Sequence, residues 1–306
     1  SAASDVYKRQ TFVDLAGLVR GASQGEGLGN QFLAHIREVD AIAYVLRCFE
    51  DSDVVHVDGK VDPIADAETI ETELMLADLE SLERRVPTLE KKIRGQDKEA
   101  KETLALLERA LLTLREGKPA RFAISEGEDR KAFHTLGLLT CKPILYVCNV
   151  DEASAASGNA LAVSVRQRAE NEGAGCVVIS AKIESELVEL DAEERKSYLA
   201  DLGLKEPGLN RLIQEGYKVL NLLTYFTVGP KEARAWTIER GTRAPQAAGV
   251  IHTDFEKGFI RAETIAYEEY VDLGGEAGAR DAGKLRLEGK DYVVQDGDVL
   301  NFRFAN

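Results

Sequence analysis

Residues 141–152 read CKPILYVCNVDE. Pro143–Asn149 is a short apolar run, β-branched and aromatic, that stops at an amide followed three residues later by a carboxylate. A run of this length bounded by turn-forming residues predicts a buried strand. Three further runs have the same character: Thr11–Asp14, Ala41–Cys48 and Cys176–Ser180. Helical stretches such as Gly29–Val39 and Leu161–Glu172 separate them. Strand alternating with helix predicts an α/β domain around a parallel sheet, and such sheets carry their ligand loops at the carboxyl ends of the strands.

Between about Ala67 and Gly117 the pattern changes. Ile70, Leu74, Leu79, Leu82, Val86, Leu89 and Ile93 recur at helical spacing, Gly95-Gln96-Asp97 interrupts them, and Leu104, Leu107, Leu111 and Leu114 resume. This predicts an antiparallel, coiled-coil-like helical hairpin inserted in the α/β domain. Its first helix would run ~27 residues, or ~40 Å. From about Asn221 the period shortens. Thr224–Val228, Ala235–Ile238, Tyr292–Val294 and Val299–Phe304 read as strands of a small mixed β domain. The expected organisation is therefore an α/β domain over 11–66 and 118–221, a helical insertion over 67–117 and a β domain over 222–306.

The 306 residues carry a net charge of −14. That argues against broad non-specific nucleic-acid binding, and DNA is not an expected partner. No run of ~18 apolar residues is present, so no membrane-spanning helix is expected. Cys48, Cys141, Cys148 and Cys176 form no CxxC pair; free thiols in a reducing cytoplasm are the expectation. The four histidines do not cluster with them in sequence, which argues against zinc.

Three strand-end loops carry the chemistry. Asp14-Leu15-Ala16-Gly17 follows the first strand. An Asp there can hold Mg²⁺, and Gly17 lets a backbone N–H approach a terminal phosphate because no Cβ intrudes. Glycines 17, 21, 25, 27 and 29 follow within thirteen residues, suiting a phosphate-sensing loop; an ordinary βα loop is the alternative. Asn149-Val150-Asp151-Glu152 can read a purine edge. Ser180-Ala181-Lys182 supplies a backbone N–H and a Lys stem for the same base pocket. Each motif alone is weak; three in order, each at a strand end, predict a nucleotide site.

These motifs resemble the G3, G4 and G5 motifs of translation-factor-class P-loop NTPases. Longer strings, DLAGLVRGASQGEGLGNQFL, RCFEDSDVVHVDGKVDP, EPGLNRLI, NLLTYFTVGPKEARAWTI and HTDFEKGFIRAETI, resemble the YchF/Obg-like ATPase family from Thr11 to Asn306. The resemblance implies a G domain interrupted by the hairpin, a C-terminal β-grasp domain of the TGS kind, a cytoplasmic switch ATPase acting with Mg²⁺, and association with the ribosome or its RNA. Leu18 stands where Ras-like GTPases carry a water-positioning Gln, and the resemblance implies that His56 takes that task. Glu152, one methylene longer than the Asp that GTPases use, implies ATP over GTP. Lys231, Arg234, Arg240, Arg243, Lys257 and Arg261 fall within about thirty residues carrying four acids, so residues 222–306 are the expected docking surface. His252 is expected to be structural.

The family pattern opens with G-x-x-x-x-G-K-[ST] several dozen residues before the Asp14 motif, and thirteen residues precede Asp14 here. Gly278–Lys284 gives the nearest match, but Leu285 follows and the position is out of order. SAASDVYKRQ, residues 1–10, does not fit the family and reads as a non-native leader on a truncated chain. On this reading the chain lacks its phosphate cradle and binds ATP poorly. A catalytically silent ribosome-, RNA- or protein-interaction module is the alternative function.

Overall fold

A computed structural model describes residues 10–15, 28–51, 60–125 and 130–305. The chain forms two compact units, one over Val13–Val219 and one over Leu220–Asn306, to which residues up to Phe12 are also assigned.

The first unit opens with α1 (Leu28–Glu38) and β1 (Ile42–Arg47), then α2 (Pro63–Arg94) and α3 (Lys98–Arg115). After a 3-10 turn at Ala120–Ala123 come α4 (Arg130–His134), a second 3-10 turn at Leu139–Cys141 and β2 (Ile144–Asn149). It closes with α5 (Ala160–Glu172), β3 (Gly175–Ile179), α6 (Ala181–Glu189), α7 (Ala192–Asp201) and α8 (Gly208–Val219). The sheet has the order β1-β2-β3, all parallel. Central β2 is covered on both faces, which is why its run is uninterrupted in apolar character: Ile144 to Cys148 are all buried.

Thr11–Asp14 is not a strand. Residues 11–15 join no ladder, and Phe12 and Val13 stand about half exposed, 48% and 54%. Apolar composition makes a segment compatible with a strand, but only a paired backbone makes it one.

α2 begins four residues before the expected start of the insertion. Asp62 accepts from the Ala65 N–H (3.1 Å) and Pro63 occupies the first turn, where a missing N–H costs nothing. Its first half belongs to the sheet core, through Ala67, Leu74 and Ala77. Its second half pairs with α3 through Leu82, Leu107, Ala110, Leu111 and Leu114, which also enclose Phe133, Leu136 and Leu138. Gln96, at φ 65°, turns the chain, and Asp97 caps α3 by accepting from the Ala100 N–H (3.0 Å).

Two buried polar groups fasten this insertion. Asp78 accepts from the Leu139 N–H (2.9 Å), the Thr140 N–H (2.8 Å) and Thr140 Oγ1 (2.7 Å), and Thr140 Oγ1 accepts from the Ala120 N–H (3.0 Å). Desolvation raises the Asp78 pKa against these bonds. Beside it, Arg121 bridges Glu71 (2.6 Å) and Glu172 (3.1 Å) while Arg168 bridges the same two acids (2.9 and 2.8 Å).

The second unit contains β4 (Leu222–Val228), β5 (Ala233–Glu239), α9 (Ala244–Ile251), α10 (Thr253–Lys257), β6 (Phe259–Ala266), α11 (Tyr267–Asp272), α12 (Glu276–Asp281), β7 (Arg286–Glu288) and β8 (Asp298–Phe304). Strand order is β5-β4-β8-β6-β7, with β4 and β8 parallel and the other pairs antiparallel. That order, with α9 packed on the sheet through Ala244, Ala247 and Ala248, is a β-grasp arrangement. His252 caps α10, its Nδ1 accepting from the Asp254 N–H (3.2 Å).

Tyr292–Val294 is not a strand either; Val293 makes one isolated bridge to Arg243. The Asp298 carboxylate accepts from Tyr292 Oη (2.7 Å) and the Gln295 N–H (2.9 Å) and holds the segment in a turn.

Asp78→Ala should lower stability by about 3 kcal/mol, because it leaves two buried backbone N–H groups without an acceptor at roughly 1–3 kcal/mol each. Urea unfolding of both proteins checks this.

Candidate functional site

Parallel pairing sets Arg47, Asn149 and Ile179 level across the sheet. The Cys48 N–H donates to the Asn149 carbonyl (2.8 Å) and the Val150 N–H to the Ile179 carbonyl (2.9 Å). The loops that leave β1, β2 and β3 therefore open on one end of the domain.

Asn149 ends β2, and its Oδ1 accepts from the Ala181 N–H (3.0 Å). This bond ties the second loop to the third. Val150 is buried and serves the site through its backbone alone. Asp151 caps the turn at Glu152–Ser154, its Oδ1 accepting from the Ser154 N–H (2.8 Å). Glu152 is thereby held facing the third loop, where its Oε1 lies 2.5 Å from Lys182 Nζ. Lys182 holds the Glu152 carboxyl below the usual carboxylate range, and Glu152 raises the Lys182 pKa in return. Both side chains are more than a third exposed, so solvent screens the pair and its energy is small.

Ser180 precedes α6 at the N-cap position but makes no capping bond. Its Oγ is buried with no hydrogen-bond partner among the described residues. Such a group ordinarily costs ~1–3 kcal/mol unless a water or a ligand completes it.

Asp14 is exposed in the extended segment 10–15 and has no hydrogen bond to Asn149, Glu152, Ser180, Ala181 or Lys182. No group of three His, Cys, Asp or Glu side chains among the described residues could hold a metal. Gly17 and His56 lie outside the described residues.

Two further residues position the loops. Asn159 accepts from the Ala162 N–H (3.0 Å) as the cap of α5, and its Nδ2 donates to the Cys48 carbonyl (2.6 Å). An Asn immediately before the periodic run at Ala160 was the available signal. Glu184 accepts from the Gly208 and Leu209 N–H groups (2.7 and 3.1 Å), seating α8. A Cβ at Gly208 would meet Glu184 Oε1 at 2.8 Å and Ile179 Cγ2 at 3.0 Å, so the packing there needs glycine.

Residues 222–305 match the family described as YchF-GTPase_C, protein of unknown function (DUF933). The ribosome-binding ATPase YchF of Haemophilus influenzae is 56% identical over 293 residues, covering 96% of this chain and 80% of the relative. The protein of that name from Bacillus subtilis is 52% identical over 295 residues, covering 96% of this chain and 81% of its own. The solved structure of the Schizosaccharomyces pombe YchF GTPase matches with a TM-score of 0.79 at 37% identity, covering 91% of this chain and 76% of that one.

Lys182→Ala should return the Glu152 pKa upward toward its ordinary value. A carboxylate whose pKa is depressed stays ionised to lower pH, so the native pair persists below the usual carboxylate range and breaks only as pH falls through the depressed pKa. An NMR titration of the Glu152 carboxyl in both proteins reads the difference.

Proposed function

The chain belongs to the YchF family, and on that footing we propose that it is a nucleotide-dependent switch ATPase that associates with the ribosome. The domains in this reading are a G-type domain over 11–66 and 118–221, a helical insertion over 67–117 and a TGS-type β-grasp domain over 222–306. The observation that supports it most is the convergence of three parallel strand ends on one loop cluster, with Asn149 pinned by the Ala181 amide and Glu152 paired to Lys182.

The base pocket favours adenine. Guanine presents N1–H and N2–H₂ donors that call for a free carboxylate, whereas adenine has no donor at N1. Glu152 is one methylene longer than the Asp that would make that pair, which displaces its carboxylate, and its Oε1 lies 2.5 Å from Lys182 Nζ. Asn149 Oδ1 is committed to Ala181, so its NH₂ remains to donate to a ring acceptor. The Lys182 stem and the Ala181 backbone flank the base, and Ser180, whose buried hydroxyl has no partner among the described residues, precedes them in the same loop. Val150 holds this loop in place by its backbone.

Asp14 is a hard-oxygen donor, exposed in its segment. One carboxylate suits Mg²⁺, which is ordinarily held by one or two carboxylates with phosphate oxygens and water. Asp14 would hold it, and it would supply charge neutralisation to the phosphates. Gly17 would offer a backbone N–H to the terminal phosphate, and His56 would orient or accept a proton from the attacking water in place of the missing Gln.

The second unit docks to ribosomal RNA. Arg234, Arg243 and Arg261 lie beside Glu232, Asp291 and Glu263, but Lys231, Arg240 and Lys257 have no salt bridge among the described residues. These three are free to meet phosphate.

Calorimetry should show ATP bound more tightly than GTP, and Glu152→Asp should narrow the gap by bringing the carboxylate back to where guanine N1–H and N2–H₂ can donate to it; GTP tighter than ATP in the unaltered protein overturns the assignment. In co-sedimentation with ribosomes, binding should fall steeply with salt. The triple substitution Lys231→Glu, Arg240→Glu, Lys257→Glu should flatten that slope by roughly 0.7–0.9 for each phosphate no longer neutralised.

A further inference from the structure

Apart from the strand-end loops, the first unit holds a cavity of about 340 Å³ along the outer edge of β3. That is at the small end of the range for small-molecule sites, ~300–1,000 Å³. Its walls are Cys176, Val177 and Val178 of β3, the Ser157-Gly158 turn before α5, and side chains from α5 and α8. The base-pocket residues are not among them, although the loop from Glu152 to Gly158 borders both.

The charges in this wall are unevenly matched. Arg166 and Arg211 line it together with Glu206 and Glu215. Glu215 pairs with Lys218 (2.6 Å), and Glu206 accepts from Gln214 Nε2 (3.3 Å). Neither guanidinium forms a salt bridge among the described residues. Arg166 lies against the Cys176 thiol, a weak partner. Arg211 Nε is buried with no hydrogen-bond partner among the described residues. A buried charged donor without an acceptor is among the costlier defects a fold can carry, and a planar fork with unmet donors matches the oxygens of phosphate or carboxylate.

The backbone adds donors. The Ile179 carbonyl faces β2, so by strand alternation the Cys176 and Val178 N–H groups, each beside its own carbonyl, face the free edge of β3. Counting Lys218, the cluster has three cations against two carboxylates. A phosphate monoester, with a charge of about −1.5 to −2 at neutral pH and three acceptor oxygens, offers acceptors to the buried Arg211 Nε and to the exposed Arg166 guanidinium that lines the same cavity. The volume leaves room for an organic group besides.

We propose that this cavity is a second ligand site, separate from the base pocket, that takes a small organic phosphate monoester through Arg166 and Arg211.

Ribose 5-phosphate is the probe, with ribose and citrate as controls, in calorimetry on the full chain. The expected result is one-to-one binding of ribose 5-phosphate and none of ribose. Arg166→Gln and Arg211→Gln should each weaken binding roughly tenfold or more, while Lys182→Ala should leave it unchanged. Hydrogen exchange on the unaltered protein gives a reading that needs no variant: ribose 5-phosphate should protect the amides of Ser157, Gly158, Cys176 and Val178. Absence of binding at millimolar ligand, citrate bound as tightly as ribose 5-phosphate, equal weakening in Lys182→Ala, or protection confined to residues 149–152 and 180–182 would each overturn the proposal.

Discussion

Level termination of three parallel strands is the constraint on which the first unit turns. The Cys48 N–H on the Asn149 carbonyl and the Val150 N–H on the Ile179 carbonyl extend the ladder one step past the strands, so the loops leave from the same plane. Given that plane, Asn149 reaches the Ala181 amide and Glu152 reaches Lys182. A one-residue slip of β2 would turn Asn149 toward the other face and break both interactions. The site is thus a consequence of sheet register, which the buried run Ile144–Cys148 fixes.

A second constraint holds the insertion to the sheet. Arg121, Arg168, Glu71 and Glu172 are all mostly buried, and each charge touches two of opposite sign. Tyr146 Oη donates to Glu172 Oε2 (2.9 Å) and lies 3.2 Å from Arg168 Nε, and burial pushes the Tyr44 and Tyr146 phenols upward. Buried ion pairs need not add net stability, because desolvation opposes the attraction. Removing one member, however, strands the others without compensation. The ring therefore specifies geometry: it fixes where Glu71 of α2 and the Arg121 turn after α3 meet β2 and α5.

Much of this was legible in the sequence. The leucines from Leu74 to Leu114 gave the paired helices and the turn at Gly95–Asp97, and Asn149 and Ser180 were recognisable as strand ends. What failed did so for physical reasons. Glu71 and Asp78 are polar residues on the buried side of α2, so apolar periodicity could not reveal that its first half belongs to the sheet core. β6 does not show in the sequence pattern because Glu263, buried inside it and held by Arg303 (2.8 Å), interrupts the alternation that marks a strand. Thr11–Asp14 and Tyr292–Val294 had strand composition without a ladder. The Asn149–Ala181 bond joins residues thirty-two apart in sequence and depends on register, which no local pattern encodes.

α5 connects the two constraints. Its thirteen residues span ~20 Å at 1.5 Å per residue. At its start, Asn159 holds the Cys48 carbonyl, at the plane where the loops leave the sheet. Along its length, Arg168 and Glu172 enter the ion ring with Glu71 and Arg121. Its buried face, through Ala162, Val165 and Ala169, is locked into the sheet core, so the helix can shift as a body but has little room to bend. Any rearrangement of the Asn149–Asn159 loop that moves the start of α5 must move Arg168 and Glu172 with it. Giving up one pair of the ring would leave a buried charge undercompensated, so the ring opposes such a shift. α5 thus contacts both the plane where the strand-end loops leave the sheet and the ring that holds the base of α2.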